Sequence, residues 1–201
     1  NFGEPLPLGK PLPLPPGETE DAPGTVIPNA ICTQNEYLIS HGAKEYVQIV
    51  EDVLYLDGCS RPEYGNKVMI RGLRWGDANV SVDMRMPDGE CAGLILRASN
   101  VGARKYLLHG YVAALSPRFG LEILRFDGKQ PARLAIAPIR KQHGDWLTLH
   151  VQMRGNIIQA RMDDVTISVQ DEAYASGRIG LVADGDLAWF KNLRVEAASY
   201  E

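Results

Sequence analysis

The feature that most constrains this chain is the alternation of apolar and polar residues in short runs from about residue 31 onward. In NVSVDMRMPDG (79–89), four apolar side chains fall on one face before Pro-Asp-Gly turns the chain. Alternation over about five to eight residues, bounded by Gly, Pro, Asp and Asn, predicts antiparallel strands. Sustained helical periodicity with caps is almost absent. About ten or more such strands in one domain predict a β-sandwich or a β-barrel.

Two hairpins can be located from the same pattern. In DWLTLHVQMRG (145–155), Leu147, Leu149 and Val151 share one face, and Gly-Asn then turns the chain. The returning segment IIQARMDD (157–164) carries its apolar residues in matching positions and ends at a second turn, Asp-Asp. An apolar face toward a second sheet and a polar face toward water is what a half-buried antiparallel sheet requires.

The first 28 residues differ from the remainder of the chain. They read NFGEPLPLGKPLPLPPGETEDAPGTVIP, and closely spaced prolines disfavour both helix and sheet. We therefore interpret residues 1–28 as a proline-rich linker or an extended arm, and residues 29–201 as one β-jelly-roll domain. A linker is the more natural interpretation, and the alternating Leu6, Leu8, Leu12 and Leu14 leave an extended arm on a neighbouring domain as the second. A ligand for a proline-binding module is a third interpretation.

Charge and composition exclude several classes of function. The chain has 201 residues and a net charge of −4, with scattered basic residues, so we expect no nucleic-acid partner. No apolar run approaches the ~20 residues that cross a bilayer, so we expect no membrane span. The three cysteines allow two interpretations, either buried thiols or a Cys32–Cys59 disulfide in an oxidising compartment.

The last third of the chain contains, in order, the segments WLTL (146–149), GNII (155–158), MDD (162–164), GRIGL (177–181) and AWFKNLRV (188–195). This series resembles the concanavalin A-like lectin and glucanase superfamily, in its laminin-G-like and carbohydrate-binding-module branches. Members of this superfamily typically contain the following motifs in order: a tryptophan followed by a strand, a glycine turn, a strand, an aspartate turn, G-x-I/V-G-L and A-x-F-D-N-x-x-V. Upstream, AGLILR (92–97) is similar to the family's aGlvlR strand, so that the resemblance covers roughly residues 76 to 197.

The resemblance implies an all-β, two-sheet antiparallel jelly-roll sandwich. The same pattern occurs in levan-type carbohydrate-binding modules (family 66), in lectin-like domains of glycosidases and in 3-keto-disaccharide hydrolase domains, so fold alone does not select the function. Relatives can hold a structural calcium beside an aspartate where this chain has Lys191. An ammonium group opposes a metal ion, so calcium is not favoured and we predict no cofactor and no metal.

Glucanase chemistry is not expected. Glucanases of this superfamily carry Glu-x-Asp-x-x-Glu on one strand, and retaining hydrolysis needs two carboxylates about 5 Å apart. The corresponding strand here is interpreted as Lys105–Tyr111, which holds no carboxylate. No nucleophile elbow, zinc motif or phosphate loop occurs either, so we assign no catalytic residue.

A sugar-binding face is the more consistent interpretation, since aromatic rings stack on sugars and planar polar groups pair with hydroxyls. Alternation places Lys105, Leu107, His109 and Tyr111 on one strand face, with Arg97 and either Glu122 or Arg125 beside them. The alternative is that Arg97 pairs with Glu122 and only satisfies a polar sheet surface. Trp75 in a loop is a further, weaker candidate. The predicted carbohydrate-binding residues are Arg97, Lys105, His109, Tyr111, Glu122, Arg125 and Trp75.

Three hypotheses follow for the function. The favoured hypothesis is a non-catalytic carbohydrate-binding module at the C-terminal end of a larger secreted enzyme, with a polysaccharide or oligosaccharide as ligand. The second is a glycoside hydrolase of the 3-keto-disaccharide hydrolase type. The third is a structural accessory domain that packs on a catalytic partner. An open aromatic-lined groove would favour the first hypothesis, whereas carboxylates or histidines converging in a deep pocket would favour the second.

Overall fold

The computed structural model describes residues 25–28, 37–41, 47–57, 66–70, 74–86, 91–102, 104–116, 118–140, 144–185 and 187–198. Within these ranges the chain forms fifteen strands in two antiparallel sheets. The predicted all-β sandwich is thus confirmed. The described ranges contain no helix of the length and apolarity that a membrane span needs. Cys32, Cys59 and most of the proline-rich segment lie outside the described residues.

The first sheet has eight strands, in the order β1-β2-β5-β14-β7-β8-β9-β10. Every pairing in it is antiparallel. Its strands are β1 (Thr25–Pro28), β2 (Tyr37–His41), β5 (Asn66–Ile70), β7 (Cys91–Ser99), β8 (His109–Ser116), β9 (Gly120–Asp127), β10 (Ala132–Ala137) and β14 (Arg178–Asp184).

The second sheet has seven strands, in the order β13-β12-β11-β6-β15-β4-β3. These pairings are antiparallel as well. The strands are β3 (Val47–Val50), β4 (Val53–Asp57), β6 (Ala78–Arg85), β11 (Trp146–Arg154), β12 (Ile157–Met162), β13 (Val165–Gln170) and β15 (Leu187–Ala197).

The main core lies between the two sheets and follows directly from the alternation. In β6 the residues are buried and half-buried in strict turn, with Val80, Val82 and Met84 directed inward. Strands β4, β11, β12 and β15 contribute side chains to the same cluster. Full burial of a side chain of this size contributes about 1.5–3 kcal/mol, so this cluster supplies the main drive for sandwich formation.

The predicted β11–β12 hairpin is confirmed in its register. Leu149 pairs with Met162, and Val151 pairs with Ala160. The turn passes through Gly155, whose φ of 52° lies in the left-handed region that a residue without Cβ adopts at little cost. Asp163 takes a similar φ, also 52°, at the second predicted turn into β13.

The eight-stranded sheet is apolar on both faces at its centre. Eight of the nine residues of β7 and seven of the eight residues of β8 are buried. Side chains on the outer face form a second apolar cluster, which includes Ile95, Leu108, Val112, Leu124 and Phe126. The loop between β7 and β8 folds back over this outer face, so the cluster is only partly open to solvent. The candidate site lies on this outer face, beside the loop.

Candidate functional site

A groove of about 540 Å³ lies on the outer face of the eight-stranded sheet. Its floor is apolar and includes Val112 on β8, Leu124 on β9 and Val182 on β14. These side chains are directed away from the inter-sheet core because each alternates with a residue of that core. The loop between β7 and β8, the β8–β9 turn and the β9–β10 turn each contribute residues to the border of the groove.

The rim of the groove is charged, and its two carboxylates are each ion-paired. Glu122 Oε2 accepts from Arg133 Nε at 2.8 Å, and Asp184 Oδ2 lies 2.8 Å from Lys105 Nζ. Glu122 is only 4% exposed, so the pair with Arg133 offsets the cost of burying its charge. The sheet order places the Asp184 pair on β14 and the Glu122 pair on β9, with β7 and β8 between them.

Two exposed aromatic rings stand at the groove. Tyr106, in the loop before β8, is 37% exposed, and Phe119, in the turn before β9, is 38% exposed. Each ring has a cation beside it, since Lys105 Nζ lies 5.8 Å from the Tyr106 centroid and Arg133 Cζ lies 4.3 Å from the Phe119 centroid. A flat apolar ring next to a multi-donor cation provides both the stacking surface and the hydrogen-bond donors that a hydroxylated ring compound needs.

Lys67 lies beneath this rim and holds the loop against the sheet. Its Nζ donates to Gly102 O at 3.1 Å and to Arg104 O at 2.9 Å, and its residue is 1% exposed. Burial lowers the pKa of Lys67 to about 8, although the charge of Asp184 acts in the opposite direction. The ammonium therefore fixes the position of the loop that carries Lys105 and Tyr106.

Lys105 and Glu122 are the two predicted binding residues that line the groove. They enter it from different elements, because the strand expected at Lys105–Tyr111 begins only at His109. Lys105 and Tyr106 form a turn instead. The expectation that Lys105, Leu107, His109 and Tyr111 share one strand face is therefore wrong. The polypeptide folds back to hydrogen-bond with Lys67 and so cannot extend the strand at this point.

Arg97 is placed elsewhere, at one end of the space between the sheets. It is 1% exposed and donates to Gly76 O at 3.0 Å, to Tyr174 O at 3.2 Å and to Asp77 Oδ1 at 3.3 Å. The alternative pairing of Arg97 with Glu122 is wrong, since Glu122 pairs with Arg133. Burial lowers the pKa of Arg97, against the opposing effect of Asp77.

Tyr111 and Arg125 face each other on β8 and β9, and both contact Asp171. Tyr111 is buried, and its hydroxyl donates to Asp171 Oδ1 at 2.6 Å, while Arg125 Nη1 lies 2.6 Å from Oδ2. Burial and the Asp171 hydrogen bond raise the pKa of Tyr111 to about 12. Burial of Asp171 opposes its charge, but the Tyr111 and Ala173 hydrogen bonds and the Arg125 guanidinium outweigh it, so its pKa is lowered. This network fastens the segment after β13 to the sheet.

His109 and Trp75 adjoin the same network rather than the groove. The His109 ring lies 6.4 Å from the ring of Tyr174, and its Nδ1 lies 3.4 Å from Asn100 Nδ2. Trp75 forms a two-way backbone bridge with Gly177 and packs half-buried against the main core. Of the seven predicted residues, the structure thus brings Lys105 and Glu122 to the groove and gathers the other five around the opposite face.

Several groove residues were missed by the sequence reasoning. Tyr106 and Phe119 each stand beside a basic residue in a short break between apolar runs, which is a signal that could have singled them out. Arg133 and Asp184 gave no such signal, because a charged residue at a strand end is usually solvated. Lys67 likewise required the structure, since only tertiary contacts bury it.

No metal site is apparent in the part of the chain that the structure describes. There, no three His, Cys, Asp or Glu side chains are grouped so that they could hold an ion. Lys191, which replaces the aspartate of some relatives, has its Nζ 4.1 Å from the centroid of the Trp146 ring.

The two antiparallel sheets define the class of fold, a jelly-roll β-sandwich of the concanavalin A-like type. Residues 34–196 match the family described as 3-keto-alpha-glucoside-1,2-lyase-like domain, so the chain belongs to that family. A search among curated protein sequences gives no match.

Solved structures confirm the fold at low sequence identity. The carbohydrate-binding module CBM66 from Bacillus subtilis is 16% identical, with a TM-score of 0.69 over 83% of this chain and 99% of that one. A Bacillus subtilis protein of unknown function with a galectin-like fold has a TM-score of 0.68 at 12% identity, over 92% and 100%. The exoplasmic/lumenal domain of VIP36, bound to Ca²⁺ and Man3GlcNAc, has 0.62 at 12%, over 82% and 85%.

Proposed function

We propose that this domain is a non-catalytic carbohydrate-binding module whose ligand occupies the groove on the outer face of the eight-stranded sheet. The observation that carries the proposal is the pair of exposed rings, Tyr106 and Phe119, over an apolar floor with a charged rim. The rings stack on the apolar face of a sugar, and the side chains of Lys105 and Arg133 donate to its hydroxyls.

The positions of the carboxylates favour binding over glycoside hydrolysis. Glu122 and Asp184 stand on β9 and β14, three strand positions apart, which corresponds to about 14 Å between backbones. Retaining glycosidases hold their carboxyl groups about 5–5.5 Å apart and inverting ones about 6.5–9.5 Å apart. In addition, each carboxylate here is engaged by a cation, so neither is arranged as a free general acid.

A second candidate function is an elimination on a 3-keto glucoside, which is the reaction that the family description names. The observation that favours it is Lys67, because a lysine whose pKa is about 8 releases its proton near neutral pH. Its donation to two carbonyl oxygens weighs against a role as base, since the nitrogen is held toward the backbone.

The binding proposal is tested by affinity electrophoresis through gels that contain neutral fructan, glucan, xylan or mannan. We expect retardation by at least one polysaccharide, weakened about tenfold by Tyr106→Ala or Phe119→Ala, which corresponds to about 1.4 kcal/mol. Trp146→Ala is the matched control, because Trp146 is 36% exposed on the other sheet. Equal weakening by all three variants, or no retardation in any gel, would overturn the proposal.

Catalysis is tested on the same polysaccharides and on 3-keto glucosides by following released sugars. A module should release none. Turnover that is lost in Lys67→Met would instead establish the second candidate function, and turnover that persists in this variant would refute both assignments.

The wider context is also a proposal. We infer an extracytoplasmic location and a catalytic domain joined through the proline-rich segment, since such a spacer keeps a module and an enzyme apart. We expect an antibody to this domain to detect a longer chain in the culture medium. Recovery from the cytoplasm alone would contradict it.

A further inference from the structure

The outer face of the seven-stranded sheet carries a row of polar side chains across four adjacent strands. The register places Arg161 beside His150, His150 beside Ser81, and Ser81 beside Arg194. Each of these residues alternates with an inward residue of the main core, so all four are directed outward. Since neighbouring strands are about 4.8 Å apart, the two arginines stand about 14 Å apart at the backbone.

A second row runs parallel to the first, two residues further along each strand. It consists of Gln159, Gln152, Asn79 and Glu196, and Gln152 Nε2 donates to Asn79 Oδ1 at 3.2 Å. The two rows line a polar depression of about 350 Å³. Amide and guanidinium groups are planar, multi-donor groups that pair with hydroxyls and carboxylates. The depression is therefore suited to a ligand that carries hydroxyl and anionic groups.

The charge of these two rows is unlike that of the whole protein. Arg161 and Arg194 carry positive charge and Glu196 is the single acidic residue in the two rows, whereas the chain has a net charge of −4. The ion pairs found among the described residues involve none of these side chains. In the groove, by contrast, Lys105 and Arg133 each pair with a carboxylate. The two guanidinium groups are thus available to an external anion.

We propose that this face is a second binding site, and that it takes an acidic polysaccharide chain lying across the strands. The two arginines contact uronate or sulfate groups, and the amide row contacts the hydroxyls between them. Single-stranded nucleic acid fits less well, because its binding sites combine a basic track with large aromatic stacking platforms and the two rows contain no Phe, Tyr or Trp. The site is separate from the groove and does not rest on the function proposed for it.

The test is affinity electrophoresis and isothermal titration calorimetry with polygalacturonate, which carries uronates, and heparin, which also carries sulfates. The variant is Arg161→Gln combined with Arg194→Gln. The matched control is Lys129→Gln combined with Arg140→Gln, which removes two charges at exposed positions away from this face. All four side chains are exposed, so we expect each protein to fold normally.

We expect binding of at least one acidic polysaccharide at 50 mM salt, weakened tenfold or more in the face variant and unchanged in the control. Binding should also weaken at 300 mM salt, since the contacts are exposed charges. Preference for the sulfated chain over the uronate chain, or the reverse, identifies the anion. Equal loss in variant and control, tighter binding of single-stranded DNA, or no binding to either polysaccharide would overturn the proposal. Retention by neutral polysaccharides, which reports on the groove, should be the same in the native protein and the face variant.

Discussion

Replacement of Lys67 by methionine should change how the free energy of unfolding depends on pH. Burial lowers the pKa of Lys67 from 10.5 to about 8 in the folded protein. Between these two values the unfolded chain binds more protons than the folded one, so the free energy of unfolding rises with pH. Below pH 8 the protonated, buried ammonium costs stability, and above pH 10.5 that cost is gone. Methionine preserves most of the length of the side chain and carries no charge, so the rise should disappear in the variant.

The size of the expected change in the free energy of unfolding follows from the lowered pKa of Lys67. A pKa difference of this size corresponds to about 3 kcal/mol in total, at 1.36 kcal/mol for each unit. Between pH 8 and pH 10 the free energy of unfolding should rise by about 2 kcal/mol of this total. No discount for solvent screening is needed, because Lys67 is 1% exposed. Measurements should stop at pH 10, since Tyr111, whose pKa is raised to about 12, destabilises the folded protein as the pH rises further.

Urea denaturation between pH 7.5 and pH 10 measures the effect. We expect the free energy of unfolding of the native protein, relative to Lys67→Met, to increase by about 2 kcal/mol from pH 8 to pH 10. Lys129→Met is the control, because it makes the same replacement at an exposed position. Parallel curves for the native protein and Lys67→Met would refute the assignment of a lowered pKa to this lysine.

The remaining predictions concern the hydrogen bond between Tyr111 and Asp171 and two glycines. Tyr111→Phe should lower the free energy of unfolding by about 1–3 kcal/mol, measured by urea denaturation, because Asp171 loses a charge-assisted hydrogen bond. Gly177→Ala should cost more than about 3 kcal/mol, since a Cβ there would collide with the backbone of Arg97. Gly155→Ala should cost only about 1–2 kcal/mol, because its φ is positive but nothing lies within 4 Å of the added Cβ. A thermal melt in which these two glycine variants are equally destabilised would contradict the argument from steric contact.

Most of the fold could be predicted from the sequence because its strands follow one pattern, the alternation of apolar and polar residues. Strands β6, β11 and β12 alternate between the core and solvent, so their boundaries and the hairpin register follow from the positions of apolar residues and of Gly155. The partition of fifteen strands into two sheets did not follow in the same way. It depends on pairings such as β14 with β5, whose residues are more than a hundred positions apart in the sequence.

The positions of individual site residues were harder to predict, because irregularities interrupt the alternation. Arg97 has a φ of 48°, and the pairing of β7 with β8 shifts register between Leu96 and Ser99. An inserted residue of this kind changes which face the following side chains occupy. Alternation counted through this point therefore could not place Arg97 relative to Lys105, which itself lies in a turn outside any strand.

The groove and the polar rows illustrate two different limits on what alternation can assign. On β11, and on β15 from Leu193 onward, polar residues alternate with apolar ones, so the sequence defines His150 and Arg194 as outward, and only their neighbours across the sheet were unknown. On β8 both faces are apolar, so no pattern distinguishes the inward Tyr111 from the outward Val112. On a strand with two apolar faces, which face is the outer one depends on what packs against each face. Here the loop that Lys67 holds packs against the outer face. A binding groove on such a sheet therefore becomes visible only once its long-range contacts are known.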